Sequence, residues 1–418
     1  MKSCGVAPFR RKPTMTTMRP LRDLPSSTRL AIVAAVWVPA LVLAGVACGS
    51  SNSGPSFVFD AGNTFHFGSG TGTGIVNPTS GTGSGVIPPS SGTGTGTGTP
   101  GTGTGTACTT NNGAITGTVT TTGGSVSRLV FAVVGDTRPA DEDEPNEYPT
   151  AIITKIFSDI NSLGSAGAPT PGPKPVLTLG TGDYQFSSAS LSNQSVADQQ
   201  VQIFETASQT YTGPFFPAMG NHECGVSGTY TTSDNNDCGP GNPGGVTANY
   251  NAFMNIMMKP LGQTNPYYSF NVSASDNSWT AKFVITAANA WSTAQQTWLT
   301  STMAEKTTYT FVVRHEASDA TPPIPDCIPT IDSIISAAGY TLLIVGHTHD
   351  YGHYNDAPQV VVFGNGGAPL SNSNYDYGYG LFSQRCDGAM VVDEVDYMSG
   401  ATDANLHFVI TPAGQITQ

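Results

Sequence analysis

Charge is scarce in this 418-residue chain. Only 11% of its residues are Asp, Glu, Lys or Arg, and the basic ones are unevenly placed. Seven of the 16 Lys and Arg precede Cys48; beyond it nine remain, against 28 acidic residues. That balance excludes a basic face for nucleic acid, so no nucleic-acid groove is expected. Close cysteine pairs are also missing, which excludes a zinc ribbon. Cys224 and Cys238 bracket a Gly/Asn/Asp/Thr-rich loop and are the first expected disulfide. Cys327 with Cys386 is the second, and Cys108 is left over. Between Gly49 and Val126 charge nearly vanishes, Asp60 being the one charged residue. An apolar face is missing there too: Gly and Thr alternate from Gly92 to Thr106, broken by Pro100. With nothing to bury, ordering entropy is not offset. Residues 48–126 therefore read as a flexible Gly/Thr/Ser-rich tether, reaching ~50 Å for ~80 residues.

The segment before the tether reads as an address. Basic residues run from Lys2 to Arg29, and 18 uncharged residues follow, Leu30–Ala47, ending at Cys48-Gly49-Ser50-Ser51. Residues 1–47 have the layout of a secretory signal. Leu-Ala-Gly-Val-Ala-Cys resembles a bacterial lipoprotein processing site, with Gly45 where Leu is usual. The leading reading is a membrane anchor through lipid on Cys48. A cleaved signal and an uncleaved anchor are the alternatives, the apolar run being near the spanning minimum. All three place the remainder outside the cytoplasm, at the cell envelope or secreted. Residues 127–418 are left as one folded domain, long enough to bury a sizeable core.

That domain has an α/β rhythm. Leu129–Val134 is a buried-strand pattern ending at Gly135-Asp136; a helix follows from about Pro149, its apolar face carrying Ile152, Ile153, Ile156, Phe157, Ile160 and Leu163. Pro175–Leu179 runs into Gly-Thr-Gly-Asp183. A helix from Val196 has Ser195 as its expected cap. Phe215–Met219 leads to Gly220-Asn221-His222-Glu223, and a helix over Ala248–Met258 follows. Tyr268–Val272 and Ala281–Ala287 read as paired strands. Ser292-Thr-Ala-Gln295 is a capping box. Thr310–Val313 ends at Arg314-His315-Glu316, and Thr341–Val345 at Gly346-His347-Thr348-His349.

Strand after strand thus ends in a polar cluster. In open α/β sheets the ligand site lies beyond the carboxyl ends of the strands, so these clusters are expected to converge. Carboxylates, an amide oxygen and imidazoles without thiolate suit Zn, Mn or Fe. They are too many for one tetrahedral ion and fit two ions sharing a carboxylate. Such a pair, di- or trivalent, attracts phosphate and steadies the attacking and leaving oxygens of an in-line displacement.

The ordered set GD (135–136), GD (182–183), GNHE (220–223), RHE (314–316) and GHTH (346–349) resembles the calcineurin-like metallophosphoesterases, which include the purple acid phosphatases. The resemblance covers about residues 128–370. It implies a four-layered αββα sandwich with two mixed β-sheets and the metals at its edge. It implies that Asp136 and His349 hold the first metal, that Asp183 bridges, and that Asn221, His315 and His347 hold the second. His222 would contact the phosphoryl group or protonate the leaving alcohol while metal-bound hydroxide attacks phosphorus. Two departures stand out. Arg138 occupies the place of a His ligand, and Phe186 the place where purple enzymes carry Tyr. Arg cannot coordinate a cation. Tyr184, a water or His353 is then the candidate substitute, or Arg138 clamps the substrate phosphate. The expected activity is hydrolysis of phosphate esters. A surface-tethered binding protein with a degenerate first metal site is the alternative, and an adhesin built around the tether a third reading.

Overall fold

The computed structural model describes residues 114–188, 194–224, 238, 247–318, 325–353, 357 and 359–417. The signal segment, most of the tether and most of the loop over 225–247 lie outside them. Among the described residues no helix is long and apolar enough to cross a membrane.

In chain order, a hairpin of β1 (Gly117–Thr120) and β2 (Gly123–Val126) precedes β3 (Val130–Val134) and α1 (Thr150–Ser162). Next come β4 (Leu177–Gly180), α2 (Gln194–Ser208), β5 (Phe215–Pro217) and α3 (Thr247–Ala252), which continues as a π-helical turn, Phe253–Met258. The strands β6 (Tyr268–Ala274) and β7 (Thr280–Ile285) are followed by α4 (Thr293–Ala304), β8 (Tyr309–Val313), α5 (Ile328–Ala338) and β9 (Leu342–Val345). The chain ends with β10 (Tyr351–His353), β11 (Val360–Phe363), β12 (Gly378–Gln384), β13 (Met390–Asp396) and β14 (Thr402–Ile410).

Two mixed sheets result. The larger has the order β1-β2-β6-β7-β8-β9-β11-β10, the smaller β14-β13-β12-β3-β4-β5. Parallel pairing joins β3, β4 and β5 in one sheet and β7, β8, β9 and β11 in the other. β3 and β4 are wholly buried, as covered parallel strands must be, and their sequences are correspondingly apolar. Aromatic rings fill the space between the sheets: Phe131 stacks on Phe382 at 4.4 Å and meets Phe283 and Phe311 edge-on. On the outer face of the smaller sheet α1 packs against α2 through Phe157 and Phe204. On the outer face of the larger sheet Leu299, Met303, Ile328, Ile331 and Ile335 of α4 and α5 cover Val284, Val312, Leu343 and Val345. This is the expected four-layered αββα arrangement.

Three local expectations are corrected. The tether does not extend to residue 126, because β2 pairs in parallel with β6 and carries the chain into the larger sheet. Pairing with β6, together with burial of Val119 and Val126 in the core, orders that hairpin. Ser195 lies inside α2 and does not cap it. The pairing of Cys327 with Cys386 does not form: Cys386 is in a disulfide and Cys327 is a buried thiol whose Sγ donates to Ala288 O. Cys224 and Cys238 are bonded as expected. So is the cap of α4, where Ser292 Oγ accepts from Gln295 N at 3.1 Å; the Gln295 side chain turns instead to the backbone of Ala287.

One buried acid outside the polar clusters gives a stability test. Glu394 on β13 is fully buried, and its Oε1 accepts from Asn365 Nδ2 at 2.9 Å. Burial, with Asp403, Asp396 and Asp376 nearby, pushes its carboxyl up to about 9 against the Asn365 hydrogen bond. Between the ordinary carboxyl pKa and that value the folded chain keeps a proton that the unfolded chain has lost. Its contribution is therefore complete at low pH and declines as pH rises toward 9. Glu394→Gln removes that slope. At pH 8 it is expected to stabilise the chain by on the order of 2–4 kcal/mol, with little change near pH 4.5, read from denaturant midpoints.

Candidate metal centre

The polar clusters meet at the carboxyl ends of the parallel strands of both sheets. β3 delivers Asp136, β4 delivers Asp183, and a 3-10 turn after β5 carries Asn221 and His222. From the other sheet β8 delivers His315, and the loop after β9 delivers His347 and His349. The two GD loops are tied together: Asp136 N donates to Gly182 O, and Thr137 N to Asp183 O, each at 3.0 Å. Gly182 is required by proximity as well as by its φ of 109°. A Cβ there would lie 2.7 Å from Gly220 backbone atoms and 2.8 Å from His315 Nδ1. Gly346 is hemmed in likewise by Asp136 Oδ2 and Thr181 Oγ1. These contacts explain the glycines that open the second GD cluster and the GHTH cluster.

Strain concentrates here. Among the described residues six non-glycines have positive φ, and four of them are Asp136 (55°), Asp183 (60°), His347 (75°) and His349 (55°). Such conformations cost roughly 1–3 kcal/mol each and persist where surrounding structure enforces them. His347 and His349 lie beyond β9, which ends at Val345; left-handed backbone turns both rings inward.

Four donor atoms cluster on one side. His315 Nε2 lies 2.9 Å from Asn221 Oδ1, 3.2 Å from Asp183 Oδ1 and 3.2 Å from His347 Nδ1; His347 Nδ1 lies 3.1 Å from Asn221 Oδ1. Ligand atoms held ~2.1 Å from a shared tetrahedral ion sit ~3.4 Å apart, so these spacings fit one ion. The chemistry of the set agrees. Nδ1–H of His315 donates to Thr181 O at 2.8 Å, which directs Nε2 toward the cluster. Burial pushes the His347 imidazole down to about 3, so it is neutral and offers a lone pair. A proton satisfies one contact in such a ring of acceptors; a metal ion satisfies all of them together.

The other side is poorer. Asp136 is fully buried, and its Oδ1 makes no hydrogen bond, lying 3.5 Å from His349 Nε2. Its Oδ2 accepts from His347 N at 2.9 Å. His349 donates Nδ1–H to Pro369 O at 2.7 Å, again turning Nε2 to the cleft. Burial, opposed by His315, pushes the Asp136 carboxyl well above its usual range. For Asp183, burial is outweighed by the charge of His315, by the His315 hydrogen bond and by Arg138, which hold it well below that range. A buried anion of this kind needs cations around it.

Arg138 supplies one. Its Nε lies 3.9 Å from Asp183 Oδ2, its Nη2 3.5 Å from His349 Nε2, and its Nη1 donates to Pro139 O at 3.0 Å. The guanidinium stacks on Phe186 at 4.5 Å, and the opposite edge of the cleft has His222 against the same ring at 4.6 Å. Neither residue suggested as a substitute ligand reaches the cleft. Tyr184 turns into the core beside Phe204, Phe215 and Phe253, and His353 packs on Phe408. A divalent ion about 4 Å from the guanidinium would meet repulsion of roughly 8 kcal/mol at an effective dielectric of 20.

Supporting contacts surround the cluster. Glu223 braces its loop, accepting from Asp183 N, Gly220 N and Tyr184 N at 3.0, 2.8 and 2.8 Å. Buried Arg314 fixes the approach to His315 by bonding Asp332, Ser318 and Glu316 O. Glu316 is in turn held by Asn289 Nδ2. The Thr181 and Pro369 carbonyls that orient His315 and His349 are invisible in the residue order, because a backbone acceptor carries no residue signature. A cleft of about 300 Å³ opens above the cluster, lined by Arg138, Asp183, Asn221, His222, His347 and His349, with Thr348 and Ser371.

No protein-family model matches the chain, and no curated protein matches it by sequence. Solved structures do resemble it. A purple acid phosphatase from yellow lupin (Lupinus luteus) seeds aligns with 17% identity and a TM-score of 0.44 over 66% of this chain. A dimetal phosphatase from Danio rerio aligns with 10% identity and a TM-score of 0.42, over 68% of this chain and 99% of its own. A 5'-nucleotidase from Candida albicans aligns with 11% identity and a TM-score of 0.35 over 68% of this chain. The chain spans about half the length of the lupin and Candida proteins, 53% and 54%.

Proposed function

We propose that the chain is a metal-dependent hydrolase of phosphate esters. The observation that carries this is the four-donor cluster of Asp183, Asn221, His315 and His347, with edges of 2.9–3.2 Å, at the floor of a cleft that also holds a guanidinium. Asp136 and His349 complete the ligand inventory on the opposite side. Metal bound there supplies Lewis acidity toward a phosphoryl oxygen and lowers the pKa of a bound water. The protein's own groups do the rest. Asp183 lies between both sides and balances their positive charge. Arg138 and His222 face the same opening, where an anion entering the cleft meets two donors. His222 is buried beside Phe186 and sits 3.8 Å from Asp183 Oδ2, placed to protonate a departing alkoxide.

Export is part of this reading. The signal-like residues 1–47 and Cys48 support an extracytoplasmic, envelope-anchored domain, and the Cys224–Cys238 disulfide suits an oxidising compartment. The test is turnover of nitrophenyl phosphate by the full-length chain, after chelation and after readdition of Mn²⁺, Zn²⁺ or Fe²⁺. Activity lost on chelation and restored by metal is the expected result. Bound metal without turnover favours the tethered binding protein, a reading that Arg138 in the cleft keeps open; no metal at all removes both.

A further inference from the structure

We propose that this chain holds a single metal ion, on the Asp183–Asn221–His315–His347 side, and that the guanidinium of Arg138 is the second, fixed cation of the cleft. The inference rests on the metal-dependent reading above and changes its stoichiometry. Its first ground is the inequality of the two sides. One has Asn221 Oδ1, Asp183 Oδ1 and His347 Nδ1 all within 3.2 Å of His315 Nε2. The other offers Asp136 Oδ1 and His349 Nε2, 3.5 Å apart, beside the second oxygen of Asp183.

Its second ground is where the guanidinium sits. It reaches the atoms a second ion would need: Nε approaches Asp183 Oδ2 at 3.9 Å, and Nη2 meets the lone-pair nitrogen of His349 at 3.5 Å. It is held there by Pro139 O on one side and the face of Phe186 on the other, and its side chain is only 14% exposed. Arg138 and Phe186 therefore act as a pair: an aromatic face offers no ligand but seats a guanidinium. Asp136 Oδ1, buried with no hydrogen-bond donor, gains a permanent positive charge nearby. One divalent ion and one guanidinium carry three positive charges against the two carboxylates of Asp136 and Asp183, so the cleft still attracts an anion.

The arrangement also selects a substrate class. A guanidinium fork binds two oxygens side by side. A phosphate monoester has three non-bridging oxygens, one for the ion and two for the fork. A diester has two, so it leaves one arm of the fork unmatched. Monoesters are the better fit.

The experiment counts metal on the full-length chain, loaded with Mn²⁺ and desalted, by elemental analysis and by electron paramagnetic resonance. The wild-type chain is expected to carry one ion with the spectrum of isolated Mn²⁺. Arg138→His, which replaces the cation with a ligand, is expected to carry two and to show the exchange-coupled spectrum of a pair. His315→Ala is expected to carry none. Two coupled ions in the wild-type chain would overturn the proposal while leaving the metal-dependent reading intact, and no ion in any variant would overturn that reading itself. Arg138→His remaining at one ion would overturn the claim that the guanidinium excludes the second. Wild-type kcat/KM should favour nitrophenyl phosphate over its bis-ester, and Arg138→Ala should narrow that ratio at least tenfold; a wild-type preference for the diester would overturn the substrate assignment.

Discussion

Asp183→Asn is expected to strip the chain of metal and of nearly all turnover. Asp183 reaches both sides of the cleft: Oδ1 lies 3.2 Å from His315 Nε2, and Oδ2 faces Arg138 and His222 at 3.9 and 3.8 Å. Asparagine keeps the shape and tolerates the left-handed backbone, φ 60°, that position 183 requires. It removes the negative charge and turns one oxygen into an NH₂, which brings hydrogens into the donor cluster. Losing an outer partner of a metal ligand costs ~10–100-fold in affinity, so loss of a ligand that is also the central charge should exceed ~100-fold. Glu223 still holds the backbone of the loop through Asp183 N and Tyr184 N, so the variant should fold. Its metal-free form should melt lower than metal-free wild type, because the carboxylate that His315 holds well below its usual range, and that raises His315 in return, is gone. Metal content, turnover and melting temperature measured on one preparation separate these effects. A folded Asp183→Asn chain that retained metal and rate would remove this residue from the centre.

How much of this was legible before the structure depends on which physical signal each part left. The strands β3, β4, β8 and β9 announced themselves as short apolar runs that stop at a polar cluster, because strands buried on both faces cannot carry polar residues along their length. The convergence of Asp136, Asp183, Asn221, His315, His347 and His349 followed from one topological regularity, that ligands collect beyond the carboxyl ends of parallel strands. The failures have equally specific causes. The β1–β2 hairpin was hidden in the Gly/Thr-rich segment because its order comes from pairing with β6 and from two isolated valines, Val119 and Val126, too few to make a pattern. Tyr184 follows Asp183 directly, yet its ring lies in the core, since the left-handed turn at Asp183 sends the next side chain away from the cleft. The spacing of Cys327 and Cys386 carried no information about distance in the fold. Arg138 was legible as a departure, but its stacking on Phe186, two loops away in the sequence, was visible only once both loops were placed.

His222→Ala is expected to keep its metal and lose turnover, by an amount that depends on the leaving group. The substitution is local. The backbone around position 222 is held independently of the ring: His222 N donates to Asp183 Oδ1 at 3.1 Å, and Asn249 Nδ2 donates to His222 O at 3.0 Å. Asn221, next in the chain, therefore keeps its place against His315 and His347. What disappears is an imidazole packed edge-on against Phe186 and open to the cleft. Burial, partly opposed by Asp183, lowers its pKa well below the usual value, so the ring is neutral in the resting chain. A bound phosphate ester adds negative charge beside it and favours the protonated form, which then delivers its proton to the departing oxygen. General acids of this kind contribute ~10²–10⁴-fold. An alkyl phosphate, whose alkoxide leaves poorly, should lose most of that factor. Nitrophenyl phosphate, whose phenolate needs little help, should lose roughly tenfold or less. Parallel kcat measurements on the two substrates, with metal content determined on the same samples, read the difference directly. Equal losses on both would assign His222 to holding the phosphoryl oxygens, and unchanged rates on both would take it out of the mechanism.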